Sequence, residues 1–455
     1  MNIVIPYLVD YIINILQQHE YQAYMVGGCV RDMLLKRKPN DWDVTTSATP
    51  EEIKKVFDGK LKIIDTGLKH GTVTLMMDYA MDNSNIFSVE VTTFRVDGEY
   101  SDNRRPDKVE FTTSLVEDLS RRDFTCNAIA FNKKEGIIDP FFGTSDVYSK
   151  IIKCVGNPHE RFKEDALRML RALRFKAQLG FSLDSFTWKA IHDNYDLIKN
   201  VSVERITQEI NKILLSDPLE IYSVDYFGLL KYTIPELNIC FWTNQDNPYH
   251  CYSVGKHLIY SAKEIKGIPY LKLTMLLHDI AKPQCKTVDD NGIGHFYDHA
   301  KKSSEMAVDI LKRMRYDNFT INKVKELIYY HDIEIQDNRK SVRKWLNKIG
   351  EDNFRDLLKV READIKAQNL NYYQERHEKL ERIKHIFEEV LKEEECFTVK
   401  DLAINGNDLI QIGIKEGVVI GDILKRLLDM VLDDPSLNNK NNLIKISKEI
   451  IKETK

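Results

Sequence analysis

Apolar and polar residues change their rhythm once along this 455-residue chain. Up to about residue 150, short runs that alternate with a period of two are mixed with helical stretches. Beyond Pro140 the alternation fades, and the helical period dominates to the C-terminus. The alternating runs predict strands over Tyr24–Val26, Asp41–Thr45, Thr72–Met77, Phe87–Phe94 and Gly136–Asp139. The opening MNIVIPYLVDYIINIL, which carries Asp10, predicts an amphipathic helix. Gly27-Gly28 ends the first strand, and Cys29 to Lys36 reads as the helix that follows. Further on, Ala166, Leu167, Leu170, Leu173 and Ala177 recur at helical spacing and predict one helix over Lys163–Phe181. The fold class expected is α+β: a mixed α/β head followed by an all-helical remainder. Polar, turn-rich stretches at Thr243–His250 and near Asp337–Lys340 read as boundaries.

Composition narrows the class. A hydrophobic content of 43% and a charged content of 30% describe a globular protein with a sizeable core. The first segment lacks the cationic start of a signal peptide, and no run approaches the ~20 apolar residues of a membrane span. No membrane partner is expected. Seven cysteines without a CxxC spacing fit a reducing cytoplasm. With a net charge of only −4, any nucleic acid must be held by local basic patches.

The chemistry is densest in VGGCVRDMLLKRKPNDWDVTT. Backbone N–H groups at a strand–Gly-Gly–helix junction attract phosphate oxygens, and Gly28 lets the backbone approach closely. Arg31, in the first turn, can clamp a phosphate with its planar fork. On a strand, Asp41 and Asp43 share a face while Trp42 and Val44 turn to the core. Paired carboxylates suit Mg²⁺, which takes oxygen ligands and substrate phosphates. Glu90, on the alternating run Phe87–Phe94, is a candidate third acid. Together these residues suggest nucleotide transfer from a triphosphate. Arg121-Arg122-Asp123 adds arginines for the triphosphate and a carboxylate for a ribose hydroxyl.

Asp165 and Arg168 are read as neighbours at i and i+3 of the Lys163–Phe181 helix. Cytosine and adenine share one pattern on their pairing edges, an amine donor beside a ring-nitrogen acceptor. A carboxylate and a guanidinium complement it; uracil and guanine present the reverse and leave both groups unpaired. Arg171 and Arg174 continue at three-residue steps toward phosphate or base. The plainer reading is a surface ion pair between Glu164 and Arg168.

Taken together, these segments resemble the class II tRNA nucleotidyltransferases, the CCA-adding enzymes and their relatives the bacterial poly(A) polymerases. The likeness rests on GGCVRDMLL…DWDVTT, HGTVTL (His70–Leu75), VEVTTFR (Val89–Arg95), RRDFTCNA (Arg121–Ala128), EDALR (Glu164–Arg168), ERITQEI (Glu204–Ile210) and DLAINGNDLI (Asp401–Ile410). It implies a polymerase-β-like nucleotidyltransferase head over 1–150 and a helical neck with a base-selecting helix over 151–240. An HD-type metal domain over 241–350 and a helical tRNA-binding tail over 351–455 follow. It also implies tRNA, CTP and ATP as partners, with Mg²⁺ as cofactor. Asp41 and Asp43 match the catalytic metal pair, with Glu90 a further family acid. Gly28, Arg31 and Arg122 match triphosphate or nucleotide positions. Asp165, Arg168, Arg171 and Arg174 match base-selecting and nucleotide-binding positions. The loop Val96–Phe111 looks full-length, which argues against a CC-only enzyme and leaves CCA-adding and A-adding members open.

Half of the twelve histidines lie between His250 and His331. Histidines and carboxylates at spaced helix positions make a metal site. The order H…HD…D resembles HD-type metal phosphohydrolases and maps to His257, His278, Asp279 and Asp332, with His299 and His331 for a second divalent ion. The implied chemistry is phosphoester hydrolysis at RNA ends. The rivals to CCA addition are an A-adding enzyme or poly(A) polymerase, an HD phosphohydrolase with a vestigial head, and an inactive RNA-binding module.

Overall fold

The computed structural model describes residues 5–68, 71–77, 88–98, 109–392, 398–414 and 417–453. These fall into two compact units, Met1–Thr233 and Ile234–Lys455. His70, Phe87 and most of the loop between Val96 and Phe111 lie outside the described residues.

The first unit is organised by a seven-stranded mixed sheet. Its strands are β1 (Ala23–Val26), β2 (Asp43–Thr46), β3 (Lys62–Gly67), β4 (Thr72–Met76) and β5 (Ser88–Thr93). After a separate ribbon of β6 (Arg95–Asp97) and β7 (Val109–Phe111) come β8 (Ala130–Asn132) and β9 (Gly136–Ile138). The order across the sheet is β3-β4-β5-β2-β1-β8-β9. Only β2 and β5 run parallel within it. The five expected strands are present, with ends shifted by a residue or two. Lys62–Gly67 escaped notice because KIIDTG does not alternate, and Ala130–Asn132 because it is short and lies inside an apolar run.

Amphipathicity sets the packing. In the first helix, Tyr7–Gln18, Leu8, Val9, Ile12, Ile13 and Leu16 are buried on one face. Each such side chain stabilises the fold by roughly 1.5–3 kcal/mol. The helix Pro50–Phe57 starts at a capping box, with Thr49 and Glu52 satisfying each other's backbone N–H groups.

The stretch read as one helix over Lys163–Phe181 is two. Pro158–Glu164 ends at Asp165, whose φ of −142° and ψ of 103° are extended, and Leu167–Leu179 begins after it. The cause is local. Asp165 accepts from the Leu167 N–H at 3.1 Å and is gripped by both terminal nitrogens of Arg205, at 3.2 and 2.7 Å. A side chain that caps the next helix cannot also continue the last one.

Among its described residues the second unit is helical apart from the ribbon Lys286–Val288 with Gly294–Phe296. One core gathers Leu271, Leu327, Phe354, Leu357, Ile383 and Phe387, and another gathers Leu409, Leu427, Val431 and Leu443. Among the described residues no helix is long and apolar enough to cross a membrane.

Candidate functional site

The head brings the predicted acids together at the centre of its sheet. β2 and β5 pair in parallel with Asp43 opposite Glu90. Asp41 and Trp42 precede the strand and are not part of it, yet the alternation holds: Trp42 is buried, and Asp41, Asp43 and Glu90 are exposed. Desolvation pushes the Asp43 carboxyl above its ordinary range. The like charges of Glu90 and Asp41 push the same way, and the Arg122 guanidinium opposes them. Such a cluster gains from a cation. Its donors are all oxygens, which fits Mg²⁺.

Beside it, Gly27 turns the chain with φ 81°, a region that favours glycine. A Cβ there would lie 3.1 Å from Arg122 Nη1. Arg122 Nη2 reaches Asp118 at 3.5 Å, and its Nε is buried without a hydrogen-bond partner. Gly28 opens the helix Gly28–Leu34. Arg31 departs from expectation. It is buried, donates Nη1 to Asn127 at 2.7 Å and Nε and Nη2 to Asp32 at 2.9 and 2.8 Å. In this arrangement Nε, Nη1 and Nη2 all donate to the protein's own side chains and brace the turn.

The remaining predicted residues form an ion-pair network across Leu167–Leu179. Arg171 holds Asp123, which also accepts from the Phe124 N–H at 2.9 Å. Asp123 therefore serves the protein's own arginine and not an open ribose position. Burial alone would raise the Asp123 carboxyl, but Arg171, Arg168 and Asn127 outweigh it and bring it to about 2. Arg174 pairs with Glu209 at 3.2 Å. Arg31, Arg171 and Arg174 all stack on Phe175, at 5.4, 5.6 and 4.1 Å from its ring centroid. The structure pairs Arg168 with Glu164 and Asp165 with Arg205. The plainer ion pair is thus present. Arg205, within ERITQEI, is a partner of Asp165 that its place in the sequence does not reveal.

In the second unit the histidines converge from separate helices. His257 comes from Val254–Glu264; His278 and Asp279 follow Pro269–Leu277. His299 opens His299–Arg313, and His331 ends Asn318–Tyr330. Nδ1 of His278, His299 and His331 donates to the carbonyl three residues back, at 2.8, 2.7 and 2.7 Å. His257 Nδ1 does the same to Ala367 at 3.1 Å. A carbonyl can only accept, so Nδ1 carries the hydrogen and Nε2 presents a lone pair.

Those lone pairs face one another. His257 Nε2 lies 3.2 Å from His278 Nε2 and 2.9 Å from Asp364 Oδ1. Asp279 Oδ2 lies 3.3 Å from His278 Nε2; Asp279 Oδ1 lies 3.3 and 3.5 Å from His299 and His331. That Oδ1 is buried with no hydrogen-bond partner. Two metal-competent triads result, His257–His278–Asp279 and Asp279–His299–His331, sharing Asp279.

The acid that meets His257 and His278 is Asp364, and this corrects the assignment to Asp332. The Asp332 side chain is 67% exposed and, among the described residues of the cluster, approaches His299 at 3.8 Å. The sequence pattern does not mark Asp364, which sits in an ordinary charged helix, Glu351–Lys366, well beyond the histidines of the cluster. Lys282 also went unread: it bonds Asp279 at 2.7 Å and Gln245 at 2.9 Å.

Comparison with known proteins adds to this geometry. The Poly A polymerase head domain matches residues 23–153, and the "Probable RNA and SrmB- binding site of polymerase A" matches 180–240. The tRNA nucleotidyltransferase domain 2 matches 289–446. A CCA-adding enzyme of Geobacillus is 52% identical over 203 residues, 45% of this chain and 48% of that enzyme. The match thus spans about half the length of several such curated relatives. A CCA-adding enzyme of Limosilactobacillus reuteri is 34% identical over 441 residues, 96% of this chain and 95% of that enzyme. Among solved structures, the Bacillus stearothermophilus CCA-adding enzyme in complex with CTP is similar with a TM-score of 0.70 and 28% identity. That match covers 97% of this chain and 98% of the other. The Thermotoga maritima CCA-adding enzyme complexed with tRNA shares the fold, with a TM-score of 0.61 and 20% identity over 99% and 97% of the two chains.

Proposed function

The chain belongs to the CCA-adding enzyme family, and from that premise we propose that it adds CCA to the 3′ end of tRNA from CTP and ATP. The observation that carries this reading is the register of Asp43 with Glu90 beside Asp41, in a chain that aligns almost end to end with a CCA-adding enzyme. The tRNA 3′-oxygen bonds to the α-phosphorus, pyrophosphate leaves, and the hydroxyl proton passes to solvent. Asp41 and Asp43 would hold Mg²⁺, with Glu90 alongside. Bound there, the ion supplies charge stabilisation on the transferring phosphoryl group. Gly28 and the unpartnered Nε–H of Arg122 receive the triphosphate. Asp165 and Arg168 select the base, Arg205 and Glu164 holding them until it arrives. Arg31, Asp123, Arg171 and Arg174 keep the pocket wall in place. The six described cysteines are all free, which supports a cytoplasmic setting.

The test uses a tRNA transcript lacking its 3′ end, with CTP, ATP or both, and sequences the products. CCA from the mixture and CC from CTP alone support the proposal. Addition only to tRNA already ending in CC makes the enzyme A-adding, and a run of adenylates makes it a poly(A) polymerase.

The histidine cluster favours a second reading. His257, His278, Asp279 and Asp364 fit one divalent transition metal, and Asp279, His299 and His331 fit another, because lone pairs and an orphaned carboxylate oxygen converge there. Ions bound there supply Lewis acidity for phosphoester hydrolysis. Lys282 contributes a fixed positive charge beside Asp279.

A further inference from the structure

Two cavities open onto the histidine–aspartate cluster. One, of about 280 Å³, is walled by Tyr249, Lys282, Phe296, Tyr297 and Arg376 around the cluster. The other, of about 260 Å³, is walled by Arg361, Arg376 and Lys379, with Ile365, Leu380 and Ile383 behind them. His331, Asp332, Asp364 and Arg376 line both. The hydrolysis of a single phosphate on a nucleoside needs one of these cavities: the phosphate at the cluster, the base against the aromatic wall. It leaves the second unexplained.

The walls of that second cavity say what it takes. Besides His331, Asp332 and Asp364 of the cluster itself, they hold three cations and aliphatic carbons, and no Phe, Tyr or Trp ring on which a base could stack. Arg361 donates Nη1 to the Ile333 carbonyl. Arg376 lies 4.8 Å over the Tyr249 ring and donates to Gln368. Each guanidinium is anchored by these contacts, an arrangement that suits forked binding of phosphate. Across the two cavities four cations, Lys282, Arg361, Arg376 and Lys379, face three carboxylates, Asp279, Asp332 and Asp364. The excess is positive before any divalent ion is counted, in a chain whose net charge is −4.

We propose that this site takes a nucleotide carrying two phosphates. One lies at the cluster, and the second is held by Arg361, Arg376 and Lys379. This rests on the reading of the cluster as a metal centre. Two ligands share that chemistry: an RNA 3′ end that terminates in phosphate, and a free nucleoside bisphosphate.

The test is isothermal titration of the full chain loaded with Mn²⁺, using 3′-AMP, adenosine 3′,5′-bisphosphate and the dinucleotide ApAp. At least one two-phosphate probe should bind roughly tenfold tighter than 3′-AMP or better. Gain for ApAp alone identifies an RNA end, gain for the bisphosphate alone a free nucleotide, and gain for both the shared chemistry. Lys379→Glu and Arg361→Gln should each erase most of the gain while leaving 3′-AMP binding as it was. Having two variants guards against one that folds poorly. Equal affinity for all three probes overturns the proposal, as does a gain that survives both substitutions or binding that survives Asp279→Ala. The Mn²⁺ content, measured separately, tells the failures apart. Protein that takes up no metal overturns the metal reading and the proposal with it; protein that takes up metal but does not discriminate overturns the proposal alone.

Discussion

Asp43 has a role that its neighbours make testable. Its carboxylate is crowded by Glu90 and Asp41 and is not tied up in any ion pair among the described residues. Asp43→Ala should lower nucleotide addition by ~10³-fold or more while leaving tRNA affinity nearly unchanged, as read by single-turnover extension and filter binding. Asp123 is the opposite case, a carboxylate consumed by structure. Its pKa of about 2 lies below the ordinary 3.8. Stability from the Arg171 pair is therefore fully present above the unfolded value and lost as pH falls toward 2, by about 2 kcal/mol in all. Thermal melts between pH 5 and pH 2 should show this loss in the native chain. Asp123→Asn should melt lower at pH 5 and lack that part of the acid sensitivity.

At the scale of elements, the turn at Gly27 joins β1 to the helix Gly28–Leu34. Gly27→Ala must adopt a positive φ and press on Arg122, at a cost of about 1–3 kcal/mol. The expected result is a lower Tm together with a raised KM for CTP. The break at Asp165 sets the second expectation. Arg168→Ala should relax base choice more than it slows addition, seen as UTP and GTP entering the product. A variant that still excludes both removes Arg168 from base selection. The sequence made the head legible because alternation reports which strand residues face the core, and Asp43, Trp42 and Glu90 obey it. It did not reveal the helix break, since Asp165 and Arg205 are distant in sequence and only folding pairs them. Asp364 was hidden for a like reason: helical periodicity marks buried faces, and an acid at the edge of such a face looks like any solvated one.

At the scale of the whole molecule, the chain carries two candidate centres, one in each compact unit. The acids of the head offer oxygen alone, and the cluster of the second unit offers imidazole nitrogens with carboxylates. The two should separate by metal preference. His278→Ala should abolish transition-metal uptake, measured by elemental analysis, and leave Mg²⁺-dependent addition intact. A simultaneous loss of both would join the centres functionally. The bonds from Nδ1 of His278, His299 and His331 to carbonyls three residues back carry a further consequence. Each ring is aimed by the last turn of backbone before it, so its orientation is set as soon as that stretch forms. The ion then arrives at a socket that is already shaped. Unlike a zinc finger, this unit owes the metal little for its architecture, and chelation should strip the centre while the protein stays folded.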